Sequence, residues 1–581
     1  MIRSITLLGL SLTLFSGSAL ASAVVVEVLP PTTVDALIVT ANTEPAANEQ
    51  AFRAIFADIR ARRFAAARSA LAANPQSPLA SVAQAELWLA KGSGLPNAAA
   101  LSGWLAAHAD LPQAASLQKV AARMALKNLP PLPAARPLYG IGGSSARLRS
   151  ATQSSAGLSL AARVKPLIQQ DRSADAEALF RATTATLDPA ERAEWAQQIA
   201  WSYLINGQNT AAMRLGAEAA GGVGDWAVMG DWVRGLAAFR SGDCATASQS
   251  FQRVGSNSRD GDSRSAGHYW AARAATACGD PRRAILSLRA AASAGDSFYG
   301  LLAARALGIR KPGPDEANAD WATLRSLPVA MRVKALVAIG EKDLAGQELR
   351  HAAEIGDPRN HRALIQIAAA LDLPSTQIWL ARHLPSGVTP DGRAGYPTPD
   401  WQPTRGWRVD RSLVFAHALQ ESRFVTDAVS HAGARGLMQV MPGTARLVAN
   451  RVSADLAVDR LNDPAVNIEF GQSYLEQLRD SPWTGGLLPK VIAAYNAGPG
   501  ALRKWKEAGR DTADPLLFIE TIPFWETRHY VEQVLRNYWI YARNAGDEPA
   551  SLNAMAQGLW PRFPGQPGAS SVQLSALPDG D

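Results

Sequence analysis

The 581-residue sequence has little that would indicate a nucleic-acid-binding or polytopic membrane protein. A long apolar run occurs only at the N-terminus, which excludes a bundle of membrane-spanning helices. The 58 basic and 51 acidic residues leave a net charge of only +7, and no basic cluster is interleaved with aromatic residues, so nothing favours a nucleic-acid partner. Strand-type alternation is scarce, whereas Ala and Leu are abundant. This pattern predicts an all-α protein.

Cysteine is also scarce, with only Cys244 and Cys278 in the whole chain. No cluster of His and Cys surrounds either residue, so the sequence predicts neither a metal site nor a cofactor. In an exported chain, an even pair at this spacing suggests one disulfide, although two free buried thiols fit the sequence equally well.

The N-terminal apolar run has the features of an export signal. Arg3 supplies a positive start, residues 5–15 are mostly apolar, and Ala19-Leu20-Ala21 resembles a small-x-small cleavage site. We therefore predict a signal peptide over residues 1–21 and a flexible lead-in over 22–50, with no stable membrane insertion after cleavage. An uncleaved membrane anchor is the alternative.

Helix-length segments separated by short turns fill the following part of the chain. The turns at Gly207, Gly242 and Gly279 are 35 and 37 residues apart, and Gly340 lies in a similar later turn. A glycine that closes one helix at such a period is typical of helical-hairpin repeats, which stack into a superhelix. We predict an α-superhelical domain over residues 51–325, with ordinary helix packing and accidental similarity as the alternative.

The composition changes toward the C-terminal third. Five prolines and four glycines occur between residues 383 and 406, which cannot continue a helix. We predict a helical linker region over 326–395 that ends in this segment, and a separate domain over 396–545. Residues 546–581 are rich in Pro, Gly, Ser and Ala and are expected to form a flexible tail, with a partner-binding peptide as the alternative.

One carboxyl group stands out as a candidate acid catalyst. The segment from Ser412, a predicted helix cap, is apolar on nearly every face, and Glu421 lies at its C-terminal end on the same face as His417. Loss of hydration on such a surface raises a carboxyl pKa and allows it to donate a proton near neutral pH. A Glu421 paired with Arg423 or Arg435 is the alternative.

A series of ordered motifs closely resembles the soluble lytic murein transglycosylases. The motifs are Glu421-Ser422, Gly433-Ala434, Gly436-Leu437-Met438-Gln439, Met441-Pro442-Gly443-Thr444-Ala445, Asn462-Asp463-Pro464, Asn467-Ile468, Ala494-Tyr495-Asn496-Ala497-Gly498 and Glu520-x-Ile522-Pro523-x-x-Glu526-Thr527-Arg528-x-Tyr530-Val531. The motif match covers about residues 396–545. The export signal, the helical array and the Pro-rich segment resemble the large periplasmic branch of that family.

The resemblance implies a fold and a reaction. The superhelix is expected to curve into a ring and to carry a lysozyme-like domain, as a monomer in the periplasm that acts on peptidoglycan glycan strands. The bond between N-acetylmuramic acid and N-acetylglucosamine would be broken without water, when the muramic 6-hydroxyl attacks its own anomeric carbon. Glu421 would serve first as the acid and then as the base, and the product would be a 1,6-anhydro sugar.

The resemblance also implies supporting residues around Glu421. Ser430, Gln439 and Met441 would line the sugar groove, while Tyr495 and Asn496 would contact the muramic residue or orient the acid. Glu520 would bind sugar or support the site, and Tyr530 would provide a hydroxyl donor. For Met441 and Tyr530, a place in the core is an equal alternative.

The distribution of acids independently favours a single catalytic carboxylate. Most glycosidases use two, whereas no Asp or Glu occurs between Ala428 and Ala454, and Asp427 is the only acid that closely follows Glu421. An intramolecular nucleophile removes the need for a second carboxylate to activate water. A lysozyme-like muramidase, with a distant acid such as Glu520 brought near by folding, is one rival. A non-catalytic peptidoglycan-binding scaffold is the other.

Overall fold

The computed structural model describes residues 44–140, 147–310, 324–389, 392–452 and 458–574. The predicted signal peptide, and the predicted lead-in up to residue 43, lie outside these residues. The all-α prediction is confirmed: within the described residues, α-helices account for nearly all of the regular structure, and the strands form two short antiparallel ribbons. Over the described ranges, none of the helices combines the length and the apolarity needed to span a bilayer.

The first group of helices packs with a group that is distant in sequence. The early helices are α1 (Glu44–Arg60), α2 (Phe64–Ala72), α3 (Ala80–Leu89), α4 (Ala98–Ala107) and α5 (Ala114–Arg123). The later ones are α15 (Pro328–Ala338), α16 (Lys342–Ile355), α17 (His361–Ala370) and α18 (Pro374–Arg382). Together they enclose one hydrophobic core, and strand β1 (Leu138–Gly140) pairs with β2 (His383–Pro385) beside it. We call this group the end layer.

The end layer differs from the predicted domain division. A boundary between residues 325 and 326 separates two segments that share a core in the structure. Polar contacts also join them, since Arg60 pairs with Glu341 and Arg332 pairs with Asp110. Sequence periodicity identifies which faces are apolar, but it carries no information on which distant helix covers each face.

The middle of the chain forms a continuous array of helices, each packed against the next. Its helices are α6 (Ser155–Gln169), α7 (Ser173–Thr183), α8 (Pro189–Ile205), α9 (Asn209–Ala220), α10 (Asp225–Arg240), α11 (Cys244–Asn257), α12 (Gly261–Ala277), α13 (Pro281–Ala292) and α14 (Phe298–Ala306). The turn residues Gly207, Gly242 and Gly279 have φ values of 77°, 77° and 71°. Glycine adopts this left-handed conformation readily, which explains its recurrence at these helix ends.

Cys244 and Cys278 form a disulfide bond, with their Cα atoms 5.5 Å apart. Cys244 is the first residue of α11, and Cys278 directly follows α12. The bond therefore ties the open ends of one helical hairpin, and the alternative of two free thiols is not observed.

The C-terminal helices form a region that follows the Pro- and Gly-rich segment. They are α19 (Arg411–Glu421), α20 (Pro442–Val452), α21 (Pro464–Arg479), α22 (Leu488–Ala497), α23 (Pro499–Glu507), α24 (Pro515–Glu520) and α25 (Trp525–Asn544). Helix α19 is largely buried and packs against α25. The array meets this region at α14 and α25, where the Phe298 and Trp539 rings stack 5.2 Å apart and Arg543 pairs with Asp296.

The segment after residue 546 differs from the expected flexible tail. It contains α26 (Ala550–Ala556) and a ribbon of β3 (Trp560–Pro561) with β4 (Ser571–Val572). Met555, Trp560 and Phe563 are buried, and the Trp560 indole donates to the Ala513 carbonyl at 2.9 Å. The Pro and Gly content suggested mobility, but these three large apolar side chains anchor the segment. Residues 575–581 of the predicted tail lie outside the described residues.

Candidate active site

Helix α19 carries Glu421 as its last residue and begins at a different cap from the one predicted. The side chain of Asp410, rather than Ser412, accepts from a backbone amide at the start of the helix, which is the amide of Ser412 at 2.8 Å. The helix stops after Glu421 because Arg423 and Phe424 have φ values of 52° and 62°, outside the helical region. Glu421 is half-buried at this sharp end.

The carboxyl group of Glu421 is held by a tyrosine from α25. The Tyr530 hydroxyl donates to Glu421 Oε1 at 2.6 Å, and His417 Nδ1 lies 2.8 Å from the same hydroxyl oxygen. Both Tyr530 and His417 are buried. No ion pair to Glu421 occurs among the described residues, so the alternative pairing with Arg423 or Arg435 is not observed.

Burial raises the pKa of Glu421 to about 7. The hydrogen bond from Tyr530 favours the ionised form and opposes this rise, while repulsion from the exposed carboxylate of Glu526 adds to it. A carboxyl group with this pKa is protonated in a large fraction of molecules at neutral pH, as a general acid must be. The direction agrees with the shift predicted from the sequence.

The glycine-rich segment after α19 is shaped around one buried amide. Asn467 of α21 donates to the Arg435 and Leu461 carbonyls at 2.9 and 2.7 Å and accepts from the Met438 amide at 2.8 Å. A Cβ at Gly436 would lie 2.2 Å from the Asn467 amide nitrogen, so only glycine fits this approach. The role of Asn467 was not predicted, although a polar residue among apolar positions of a helix is a recognisable signal.

Three predicted groove residues lie on this segment. The Ser430 hydroxyl accepts from the Ala434 amide at 3.0 Å, and the Gln439 amide donates to the Ala428 and Gly436 carbonyls at 3.2 and 2.9 Å. Both side chains are half-buried, and Met441 is 41% exposed. Ser430 and Gln439 thus stabilise the loop through the same side chains that are expected to line the sugar groove.

The predicted pair at the end of α22 divides between two structural contacts. The Tyr495 hydroxyl donates to the Met438 carbonyl at 2.8 Å, and its ring centroid lies 4.7 Å from that of His417. The Asn496 side-chain oxygen accepts from the Thr527 hydroxyl at 2.7 Å, near the start of α25. Tyr495 therefore belongs to the cluster around Glu421, whereas Asn496 links α22 to α25.

Glu520, which is expected to bind sugar or to support the site, makes its hydrogen bond to the helical array and none to Glu421 among the described residues. Its side chain is 2% exposed, and its carboxylate accepts a hydrogen bond from the Tyr299 hydroxyl of the helical array. Burial raises the pKa of Glu520, while the neighbouring Arg528 guanidinium lowers it. Glu520 thus joins the two regions. The sequence could not reveal this, because the partner Tyr299 lies more than two hundred residues earlier.

No group of three or more His, Cys, Asp or Glu side chains that could hold a metal ion occurs among the described residues. The acid nearest in effect to Glu421 is Glu526, which the sequence showed only as part of a motif. The candidate site is thus a single proton-carrying carboxyl group at a helix end, with a tyrosine donor and a neighbouring exposed carboxylate.

Comparison with known proteins places this geometry in context. Residues 402–518 match the family model described as the transglycosylase SLT domain. A stretch of 157 residues is 38% identical to the soluble lytic murein transglycosylase of Escherichia coli strain K12, and it covers 27% of this chain and 24% of that protein. The aligned stretch therefore spans only about a quarter of the relative.

Solved structures extend the similarity to the fold of most of the chain. The 70 kDa soluble lytic transglycosylase of Escherichia coli superposes with a TM-score of 0.54 at 18% identity, over 89% of this chain and 99% of that one. An inactive mutant of the lytic transglycosylase Slt of Pseudomonas aeruginosa gives a TM-score of 0.53 at 23% identity, over 89% and 84%. At these identities the likeness establishes the shared helical architecture.

Proposed function

We propose that this chain, whose residues 402–518 belong to the transglycosylase SLT domain family, is a periplasmic lytic transglycosylase that cleaves peptidoglycan glycan strands without consuming water. The observation that carries the proposal is Glu421, a carboxyl group with a pKa of about 7 at the end of a buried helix, hydrogen-bonded by Tyr530. This group is able both to donate and to accept a proton at neutral pH.

The proposed reaction has two balanced steps. Glu421 first donates its proton to the oxygen that links the anomeric carbon of N-acetylmuramic acid to N-acetylglucosamine, and the bond between that carbon and oxygen breaks. The 6-hydroxyl of the muramic residue then attacks the anomeric carbon, and its proton passes to Glu421. The 1,6-anhydro ring closes, the catalyst is restored, and no water enters the product.

The surroundings of Glu421 support a mechanism with one carboxylate. Its described hydrogen-bond partner is a tyrosine rather than an acid, and Glu520, the distant acid considered from the sequence, is bonded to Tyr299 instead. Glu526 acts on Glu421 only through repulsion in the described structure. An attacking group supplied by the sugar itself requires no further base.

The proposed substrate contacts follow from polar atoms that the protein leaves available. The Ser430 hydroxyl uses an acceptor site within the loop, which leaves its hydrogen for a sugar oxygen. The Asn496 amide nitrogen has no hydrogen bond to the described residues and can donate to an acetyl carbonyl. Met441 offers an exposed apolar surface, while Gln439 and Tyr495 shape the groove from behind.

The decisive experiment is mass spectrometry of purified peptidoglycan after digestion by the mature chain, with Glu421→Gln and Glu526→Gln in parallel. We expect muropeptides lighter by the mass of one water than hydrolysed products. They should be absent with Glu421→Gln and present with Glu526→Gln. Glutamine preserves the size of each side chain and removes the titrating proton.

A muramidase is the second candidate, favoured by the position of Glu526 near Glu421. It predicts products with a free reducing end and a complete loss of cleavage in Glu526→Gln, because a second carboxylate would activate water or act as nucleophile. Absence of any cleavage by a folded wild-type chain would instead favour a peptidoglycan-binding scaffold and would contradict both enzymatic proposals.

A further inference from the structure

A buried histidine lies one helical turn before Glu421 and shares its tyrosine partner. His417 is fully buried, and its Nδ1 lies 2.8 Å from the Tyr530 hydroxyl, which in turn donates to Glu421 Oε1 at 2.6 Å. Positions four residues apart face the same side of a helix. Helix α19 therefore supplies both ends of this series of hydrogen bonds, His417 and Glu421, and α25 supplies Tyr530 between them. The reaction outlined above uses the carboxyl group of Glu421 but assigns no role to His417.

The protonation of the imidazole follows from its surroundings. Burial lowers the pKa of His417 to about 3, so the ring is neutral and carries one hydrogen. Its Nε2 atom is enclosed and has no hydrogen-bond partner among the described residues. A hydrogen on Nε2 would leave a buried N–H unpaired, and it would draw the Tyr530 hydroxyl hydrogen toward Nδ1 and away from Glu421. A hydrogen on Nδ1 avoids both losses.

We propose that His417 is a positioning residue whose Nδ1–H donates to the Tyr530 oxygen, commits the tyrosine hydrogen to Glu421 Oε1, and thereby reserves Oε2 for the catalytic proton. This inference rests on the proposed acid–base role of Glu421. Oε2 makes no hydrogen bond to the described residues, so the proton it carries is available to a substrate. One carboxylate oxygen is thus fixed as an acceptor and the other as the donor.

The arrangement predicts what happens when the histidine donor is lost. The Tyr530 hydroxyl becomes free to rotate and to accept a hydrogen bond from a protonated Oε1, which stabilises the neutral form of Glu421. The ionised form then loses the hydrogen bond that Tyr530 donates to it. The pKa of Glu421 then rises. The other groups that face this cluster are Tyr495, whose ring packs on His417, and Glu526, whose carboxylate repels that of Glu421.

Three substitutions at one position separate positioning from packing. The amide of His417→Asn places an N–H close to the position of Nδ1, whereas the longer His417→Gln places the same group near Nε2, and His417→Leu has no donor. We expect His417→Asn to retain most of the wild-type kcat. We expect His417→Gln and His417→Leu each to lose about tenfold, the equivalent of one hydrogen bond, with the alkaline limb of the rate profile moved to higher pH.

A second readout does not depend on catalysis. Infrared titration of the full-length chain follows the protonated carboxyl band, and subtraction of the Glu421→Gln spectrum isolates Glu421. We expect the midpoint to stay near the wild-type value in His417→Asn and to rise in His417→Gln. In a Tyr530→Phe background, all three substitutions should leave the midpoint unchanged, because the group through which His417 acts is missing.

These measurements decide the proposal whether or not the enzymatic assignment holds. Equal midpoints in His417→Asn and His417→Gln, or a shift that persists in Tyr530→Phe, would overturn the positioning role. The expected order of midpoints without any anhydro product would support the hydrogen-bond arrangement while refuting the proposed reaction. If His417→Leu fails to fold, the comparison of Asn with Gln, which share the same amide group, still decides the question.

Discussion

The helical array and the region around α19 are built from the same kind of secondary structure but are ordered by different interactions. In the array, helices approach closely at small residues: a Cβ added at Gly267 would lie 2.4 Å from the Gly255 nitrogen, and one at Gly230 would lie 2.6 Å from the Ala219 Cβ. Around α19, order comes from directional bonds through buried polar groups such as His417 and Asn467. Close packing of helices does not depend on protonation state. A network of directional hydrogen bonds, in contrast, requires each hydrogen to lie on a particular atom.

The largest expected contrast comes from removing the titrating proton. Glu421→Gln should reduce the cleavage rate about 10³-fold, in the range attributed to general acid–base groups, with little change in thermal unfolding. A loss of stability in parallel with activity would contradict this expectation, because the carboxyl group would then be needed to stabilise the fold. Initial rates on purified peptidoglycan and a melting curve on the same samples measure both quantities.

Removing the disulfide should produce the opposite pattern. The double substitution Cys244→Ser with Cys278→Ser releases a loop of 34 residues, which the chain-entropy model equates with about 3–4 kcal/mol of stability. We expect a lower melting temperature and an unchanged kcat at a temperature where the variant is folded. A fall in kcat under those conditions would show that the structure of the array affects the geometry of the site around Glu421.

Steric crowding within the array can be tested with one methyl group. Gly267→Ala should destabilise the chain by about 1–3 kcal/mol, because the added Cβ meets the backbone of α11. Gly103→Ala is the matched control, since that helical position has no atom within 4 Å of the added carbon. The control should be neutral or stabilising, owing to the better helix propensity of Ala. Equal destabilisation by the two substitutions would contradict close packing as the cause.

The smallest expected effect concerns pH. Glu421 must be protonated to act as the acid, so activity should fall as pH rises through about 7, the pKa of this group. Glu526→Gln removes a repulsion that raises this pKa, so the alkaline limb should move to lower pH by less than about one unit. A profile of kcat/KM for the two proteins measures the shift. Movement in the other direction would mean that Glu526 stabilises the acid through another contact.

Local features of the molecule were predictable from the sequence, whereas distant partners were not. The buried helix ending at Glu421, the all-α class and the turn glycines follow from periodicity and residue type, which act over a few positions. The hydrogen bonds from Tyr299 to Glu520 and from Trp560 to the Ala513 carbonyl depend on how segments that are distant in sequence pack together. The composition of residues 546–581 predicts a flexible tail, whereas a few large apolar side chains anchor the described part of this segment in the core.

The shared core of the end layer has a consequence for how the chain acquires its structure. Helices α1–α5 cover an apolar surface contributed by residues 324–394, and Arg53 reaches the Ala338 carbonyl across 285 positions. Helices α1–α5 are therefore synthesised well before the residues that cover their apolar faces. Long-range contacts of this kind slow folding and prolong the exposure of sticky surfaces. Chaperone dependence should accordingly be concentrated at the helices of the end layer.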